Sequence, residues 1–185
     1  LLASSLAEAN RELAQLALHD TLTRLPNRIL LEDRLDQAIS KADREGNHFA
    51  LMFMDLDGFK AINDAYGHDV GDRLLVAVTQ RLLLLLKGQF TLARIGGDEF
   101  VLLAEGEGPD DAASLANSLV RAIDSPFNLS PYELVVTLSI GIALYPHDGK
   151  TERELMFNAD AAMYHTKHMG RNGYHFFQPS MNTLA

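Results

Sequence analysis

Two short acidic stretches hold the residues with which this chain could do chemistry. In LARIGGDEFVLL, residues 92–103, two apolar runs flank a pair of glycines and the adjacent acids Asp98 and Glu99. In HFALMFMDLDGF, residues 48–59, a near-continuous apolar run ends in Asp55 and Asp57. The period of two in a strand sets Asp55 and Asp57 on one face and Leu56 on the other. Buried carboxylates repel one another and cost free energy unless a cation or hydrogen bonds compensate. If the two acidic strands are neighbours, three or four acids converge at one edge of a sheet. Hard oxygen ligands of that kind suit Mg²⁺, which keeps several waters and takes substrate phosphate as further ligands. Gly96 and Gly97 let backbone approach a ligand closely. Either acidic pair, taken alone, serves as well to end a strand or begin a turn.

The phosphate side is less marked. No G-x-x-x-x-G-K-[ST] loop is present. DGFK, residues 57–60, follows the acidic strand and enters a helix, whose first N–H groups are free to bind phosphate. Lys167 and Arg171 lie four apart near the end of the last long helix, on one face. The helix dipole favours cations at that end in any case. His165 and His168 share a helical face without an H-E-x-x-H pattern, and read as surface or packing residues. His19 and His68 have no Ser or Cys partner that would support nucleophilic catalysis.

The elements that must position these residues follow from periodicity. Leu2, Leu6, Ala9, Leu13 and Leu16 form a heptad stripe on a helix over residues 1–18. That helix either folds back on its own domain or pairs with another. Pro26 suits the first turn of a second helix, RILLEDRLDQAISKA. A buried strand, a short helix KAINDAYG closed by Gly67, and a long helix capped by Asp69 with Asp72 in its first turn come next. FTLARI and EFVLLAE read as a hairpin around Gly96 and Gly97. DDAASLANSLVRAI is a helix. YELVVTLSIGIALYP is one or two strands with a bulge or close approach at Gly141. A helix ending at Gly170 and a short strand, GYHFF, complete the domain. The pattern is α+β, a central and mostly antiparallel sheet surrounded by helices.

The bulk numbers limit what this fold can do. At 185 residues the chain fits one domain with a sizeable core. Its net charge of −9 argues against a nucleic-acid partner, which needs a basic surface. The absence of cysteine excludes disulfides and thiolate metal sites. No apolar run could span a bilayer and no secretory signal is visible. The chain begins at Leu1, which reads as a piece of something larger.

The motifs now combine. RIGGDEF resembles the signature of the GGDEF family, the diguanylate cyclases. DTLTRLPNR resembles the family's entry motif, and DLDGFKAINDAYGHDVGDRLL its nucleotide-binding segment. SIGIALYP and DAAMYHTKHMGRN resemble its later blocks, in the same order. The resemblance covers residues 19–177 and implies a nucleotidyl-cyclase or polymerase-palm-like fold. The implied reaction joins two GTP into cyclic di-GMP, a bacterial signalling molecule, and releases two pyrophosphates. It also implies two Mg²⁺ per active site, with Mn²⁺ an alternative, and a homodimer for catalysis. Position by position, Asp55 and the Leu56 carbonyl would hold metal, Asp98 would bind the same metals, and Glu99 would bind metal or activate the 3′-hydroxyl. Gly58, Phe59 and Lys60 match the phosphate cradle, Asn63 and Asp72 the guanine-reading pair, and Lys167 and Arg171 the holders of the triphosphate tail. Lys87 and Phe90 replace the Arg and Asp of the family's inhibitory product site, so none is expected here, although Arg94 remains as a candidate product contact. Residues 1–18 would be a signalling helix, and 178–185 a linker toward an EAL phosphodiesterase domain. The resemblance places the domain in the cytoplasm, with any membrane contact made through the parent protein. A GTP-binding module that only regulates an attached EAL domain is the alternative.

Overall fold

A computed structural model describes residues 2–183. The first helix, α1 (Leu2–Leu18), has no buried residue along its length and is tied to the body at its last turn, where Asn27 donates to Ala17 O and Leu18 O. The fold-back alternative is therefore overturned, because the heptad leucines stay 62–85% exposed. Next come α2 (Arg28–Glu45), β1 (Phe49–Asp57), α3 (Phe59–Tyr66) and α4 (His68–Leu85). The hairpin β2 (Phe90–Gly96) and β3 (Glu99–Glu105) leads to α5 (Pro109–Asp124). A small ribbon of β4 (Phe127–Leu129) and β5 (Tyr132–Leu134) precedes β6 (Thr137–Tyr145), α6 (Glu152–His168) and β7 (Gly173–Phe176). A 3-10 turn, Pro179–Thr183, sets Met181 against Ala162 and Phe177.

The five-stranded sheet has the order β2-β3-β1-β6-β7. All pairs are antiparallel except β6 with β7. β1 is central, and its alternation splits the core. Ala50, Met52, Met54 and Leu56 belong to one apolar layer, with Leu74, Val78, Leu119 and Ile123 of α4 and α5. Phe49, Leu51 and Phe53 belong to the other, with Leu31 and Leu35 of α2 and Leu155, Ala159 and Met163 of α6. Continuing the second series by twos reaches Asp55 and Asp57, which places both on the α6 side as their spacing requires.

Gly141 resolves as a close approach, since the β1–β6 register runs through it without a bulge. A Cβ there would stand 2.0 Å from Met163 N and 2.2 Å from Ala159 O. The missing side chain thus lets the α6 backbone press onto the sheet. Several boundaries differ from the expected ones. Pro26 bridges to His19 ahead of the helix, and Asn27 caps α2 by accepting from Leu30 N. Gly67 takes the N-terminal boundary of α4 from Asp69, which lies in the first turn, and Asp72 falls in the second turn. Among the described residues, no helix is long and apolar enough to cross a membrane.

Candidate active site

The acids of β1 meet those of the hairpin at one end of the sheet. Glu99 stands opposite Asp55 on one side, and Ser139 stands opposite on the other. Like charges directly across a ladder are destabilising. Asp98 lies in the two-residue turn between β2 and β3, and its carbonyl accepts from Leu56 N at 3.3 Å. Burial, then a hydrogen bond with Asp55 and its charge, push the Asp98 carboxyl up to about 7, against the pull of its backbone and Lys167. Burial and the charges of Asp55 and Asp160 also push Glu99 upward. Asp55 Oδ2 takes Lys167 Nζ at 2.8 Å, while Oδ1 is buried without a hydrogen-bond partner.

An orphaned buried oxygen beside an acid pushed toward neutrality is an arrangement that lacks positive charge. A hard divalent cation fits it, with Asp55, Asp98 and the Leu56 backbone at hand. Among the described residues no three acidic or histidine side chains close on one point. The set is open-sided, which suits an ion that keeps waters and takes substrate phosphate.

Asp57 has a different task. It is only 8% exposed. Its oxygens accept from Thr137 Oγ1 at 2.7 Å, Ser139 Oγ at 2.8 and 3.0 Å, and Asn172 N at 3.2 Å. Lys167 Nζ lies 3.6 Å away and Arg171 Nε 3.9 Å away. Asp57 thereby pins the turn after α6 to the sheet and holds the basic pair together. α6 ends at His168 rather than Gly170, and Arg171 lies beyond it at φ 63°. The two cations are brought together by Asp57, not by a shared helical face.

The third group lies where α3 meets α4. Gly58 takes φ 81° and no side chain caps α3, so the first-turn N–H groups are left for a ligand. Phe59 is buried in the core and Lys60 is exposed. Asn63 Oδ1 is buried without a partner, and Asp72 is exposed on α4.

Several contributors escaped the sequence reading. Asp160 stands two turns before Lys167 on α6, a seven-residue spacing that shares a face. Burial and the charge of Asp55 raise it, while Arg28 lowers both it and Glu99. Ser139 and Thr137 alternate on β6 facing the acids, a period-two signal that was available. Arg94, expected only as a product contact, takes a role that was not foreseen: its Nη1 donates to both oxygens of Asp20 at 3.0 and 3.1 Å, and its Nε donates to Gly97 O at 2.9 Å. This strut ties the root of α1 to the acidic turn. Lys87 is exposed, and Phe90 packs against the core from the start of β2. His165 packs against the His175 ring, and His168 against Tyr164.

Comparison with known proteins places this geometry in context. The family model described as "Diguanylate cyclase, GGDEF domain" matches residues 17–173. The chain is 62% identical over 185 residues to the bifunctional diguanylate cyclase/cyclic di-GMP phosphodiesterase MucR of Pseudomonas aeruginosa, and spans 27% of that protein. It is 39% identical over 184 residues to the cyclic di-GMP phosphodiesterase NbdA of the same organism, and spans 24% of it. Among solved structures, the GGDEF domain of TpbB (YfiN) from Pseudomonas aeruginosa superposes with a TM-score of 0.87 at 36% identity. That likeness covers 90% of this chain and 98% of the other.

Proposed function

The chain belongs to the GGDEF family of diguanylate cyclase domains, and from that premise we propose that it condenses two GTP into cyclic di-GMP and two pyrophosphates. One observation carries this reading. Asp55 of β1 and Asp98 of the neighbouring β2–β3 turn meet, with Asp55 Oδ1 buried and unpartnered and the Lys167 ammonium on Asp55 Oδ2.

In each half-reaction a 3′-hydroxyl attacks the α-phosphate of a second GTP. The new O3′–Pα bond replaces the bond from Pα to the bridging oxygen, and pyrophosphate leaves. Asp55, Asp98 and the Leu56 carbonyl would hold Mg²⁺, or Mn²⁺ in its place, with Glu99 beside them. When bound, such ions stabilise the attacking and leaving oxygens. Lys167 and Arg171 neutralise the triphosphate tail, and the N–H groups at Gly58, Phe59 and Lys60 receive phosphate oxygens. Glu99, raised by burial and by the charges of Asp55 and Asp160, would join the metal ligands or accept the proton of the 3′-hydroxyl. Asp72 accepts from N1–H and N2–H₂ of guanine, which adenine cannot offer, and Asn63 pairs with the same base. One domain holds one GTP, so the reaction requires two domains face to face. The exposed leucine stripe of α1 would draw two copies together.

On this reading we assign residues 1–18 to a signalling segment that includes α1, 19–177 to the GGDEF domain, and 178–185 to a link toward an EAL domain. A second reading is favoured by the likeness to NbdA, whose name gives only phosphodiesterase activity. In that reading the domain binds GTP without turnover and regulates the attached EAL domain. Incubation with GTP and Mg²⁺ separates the two. Formation of cyclic di-GMP and pyrophosphate supports the cyclase. Tight GTP binding with neither product, even in a forced dimer, supports the regulator.

A further inference from the structure

Gly71 lies in α4 immediately before Asp72. A Cβ on Gly71 would stand 1.8 Å from Asn63 Oδ1, 2.9 Å from Asn63 Cγ and 3.4 Å from Phe59 Cζ. The backbone gives glycine no reason to be there. Gly71 N donates to Gly67 O at 3.2 Å as an ordinary helical residue, and a helix interior prefers alanine. What the position requires is space, and the Asn63 amide oxygen fills it. The second observation concerns that same oxygen, which is buried without a hydrogen-bond partner. Burial of an unmated amide acceptor costs free energy in the free protein. The cost is explained if the amide is held in place for a ligand.

We propose that Gly71 is a specificity-positioning residue for the nucleotide base. Its bare Cα forms the seat for Asn63 Oδ1 and so fixes the plane of the amide. The Nδ2–H₂ end is then turned away from the wall and offers a donor, while Asp72 offers an acceptor one residue further along. A donor next to an acceptor matches guanine, which carries acceptor and donor atoms on adjoining edges. Gly71 acts through Asn63 and does not itself touch the base. The inference rests on the reading of Asn63 and Asp72 as guanine-binding residues.

The contact to be displaced is the far end of a flexible side chain, so Gly71→Ala moves the amide and spares the backbone. The test uses 3′-deoxy-GTP and 3′-deoxy-ATP with Mg²⁺. Neither can condense, because the attacking hydroxyl is missing. Calorimetric titration of Gly71→Ala should show roughly tenfold weaker binding of 3′-deoxy-GTP, the equivalent of one hydrogen bond, and unchanged binding of 3′-deoxy-ATP. The melting temperature should hold or rise. In an Asn63→Ala background the same change should cost nothing more, because the clashing amide is gone. Unchanged 3′-deoxy-GTP affinity in Gly71→Ala, with loss in Asn63→Ala, overturns the role of Gly71 alone. Unchanged affinity in both Asn63→Ala and Asp72→Ala overturns the guanine reading beneath it. A Gly71→Ala loss that persists without Asn63, or a fall in melting temperature that the double variant does not restore, marks a general distortion of α4 and also overturns the proposal.

Discussion

At the scale of single residues, the acidic turn makes the sharpest demand. Burial and Asp55 disfavour the charge of Asp98 and push its carboxyl up to about 7. A carboxyl raised in the folded state binds more protons than in the unfolded chain between about pH 4 and 7, so stability falls as pH rises through that window. Asp98→Asn removes the titration. In the absence of divalent cations, the variant should show a flatter melting temperature from pH 4 to 7 and should be the more stable protein above pH 7. Its GTP turnover should fall roughly a hundredfold or more, since several kcal/mol of transition-state stabilisation go with a metal ligand. A wild-type melting curve that rises with pH over this window would refute the assignment. The acids themselves were legible, because period two and an apolar run identify a buried pair. The division of labour between Asp55 and Asp57 was not. Hydroxyls on another strand and a backbone N–H contributed from residue 172 decide it. A second consequence belongs to this scale. Phe90 packs on the core where a carboxylate would be needed, and cyclic di-GMP added to the domain should leave GTP turnover uninhibited through the surface around Lys87. Chemical-shift mapping of added product onto that surface would contradict this.

At the scale of elements, two contacts set where the site residues stand. α6 reaches the sheet only because Gly141 has no side chain, and Met163 N, which faces it, lies one turn before Lys167. Gly141→Ala would meet backbone atoms that cannot swing aside, unlike the amide beside Gly71. Overpacking of this kind costs about 1–3 kcal/mol. The displaced helix should carry Lys167 away from Asp55 and Asp57. Urea denaturation should register the lost stability, and GTP titration a weaker complex. Unaltered stability would show that α6 is not held by this approach. The sequence marked Gly141 as a bulge or a close approach but could not choose between them, since the choice depends on which helix crosses the strand. Gly67 closes α3 as expected, but the starts of α2 and α4 and the end of α6 were misjudged for a related reason. Asn27, Gly67 and Met169 are the true boundaries, and each is decided by which backbone groups find partners, a matter that local pattern constrains only to within a turn. The longer strands and helices were legible, because their apolar periods are unbroken, whereas the three residues of β4 carry too short a pattern to be read.

At the scale of the whole molecule, the feature that most needs a partner is α1. Its leucines face solvent while the body behind them is well filled. A helix of 17 residues with no buried side chain, tied to the body only at its last turn, is marginal in water, and a heptad seam gains stability only by meeting another. The proposed chemistry imposes the same requirement independently, since two nucleotides bound on two domains must be brought together before either bond forms. The strut from Asp20 through Arg94 to Gly97 connects the root of that helix to the turn that carries Asp98. A change in how two α1 helices cross would therefore be felt at the acids. Leu6→Ser with Leu13→Ser should leave each domain folded, because neither side chain is buried. The double variant should sediment as a monomer at concentrations where the parent chain dimerises. Its turnover per domain should climb with protein concentration over a range where that of the parent is level, and fusion to an unrelated dimeric coiled coil should restore it. Full turnover from a strictly monomeric variant would remove the need for two copies, and with it the role assigned to α1.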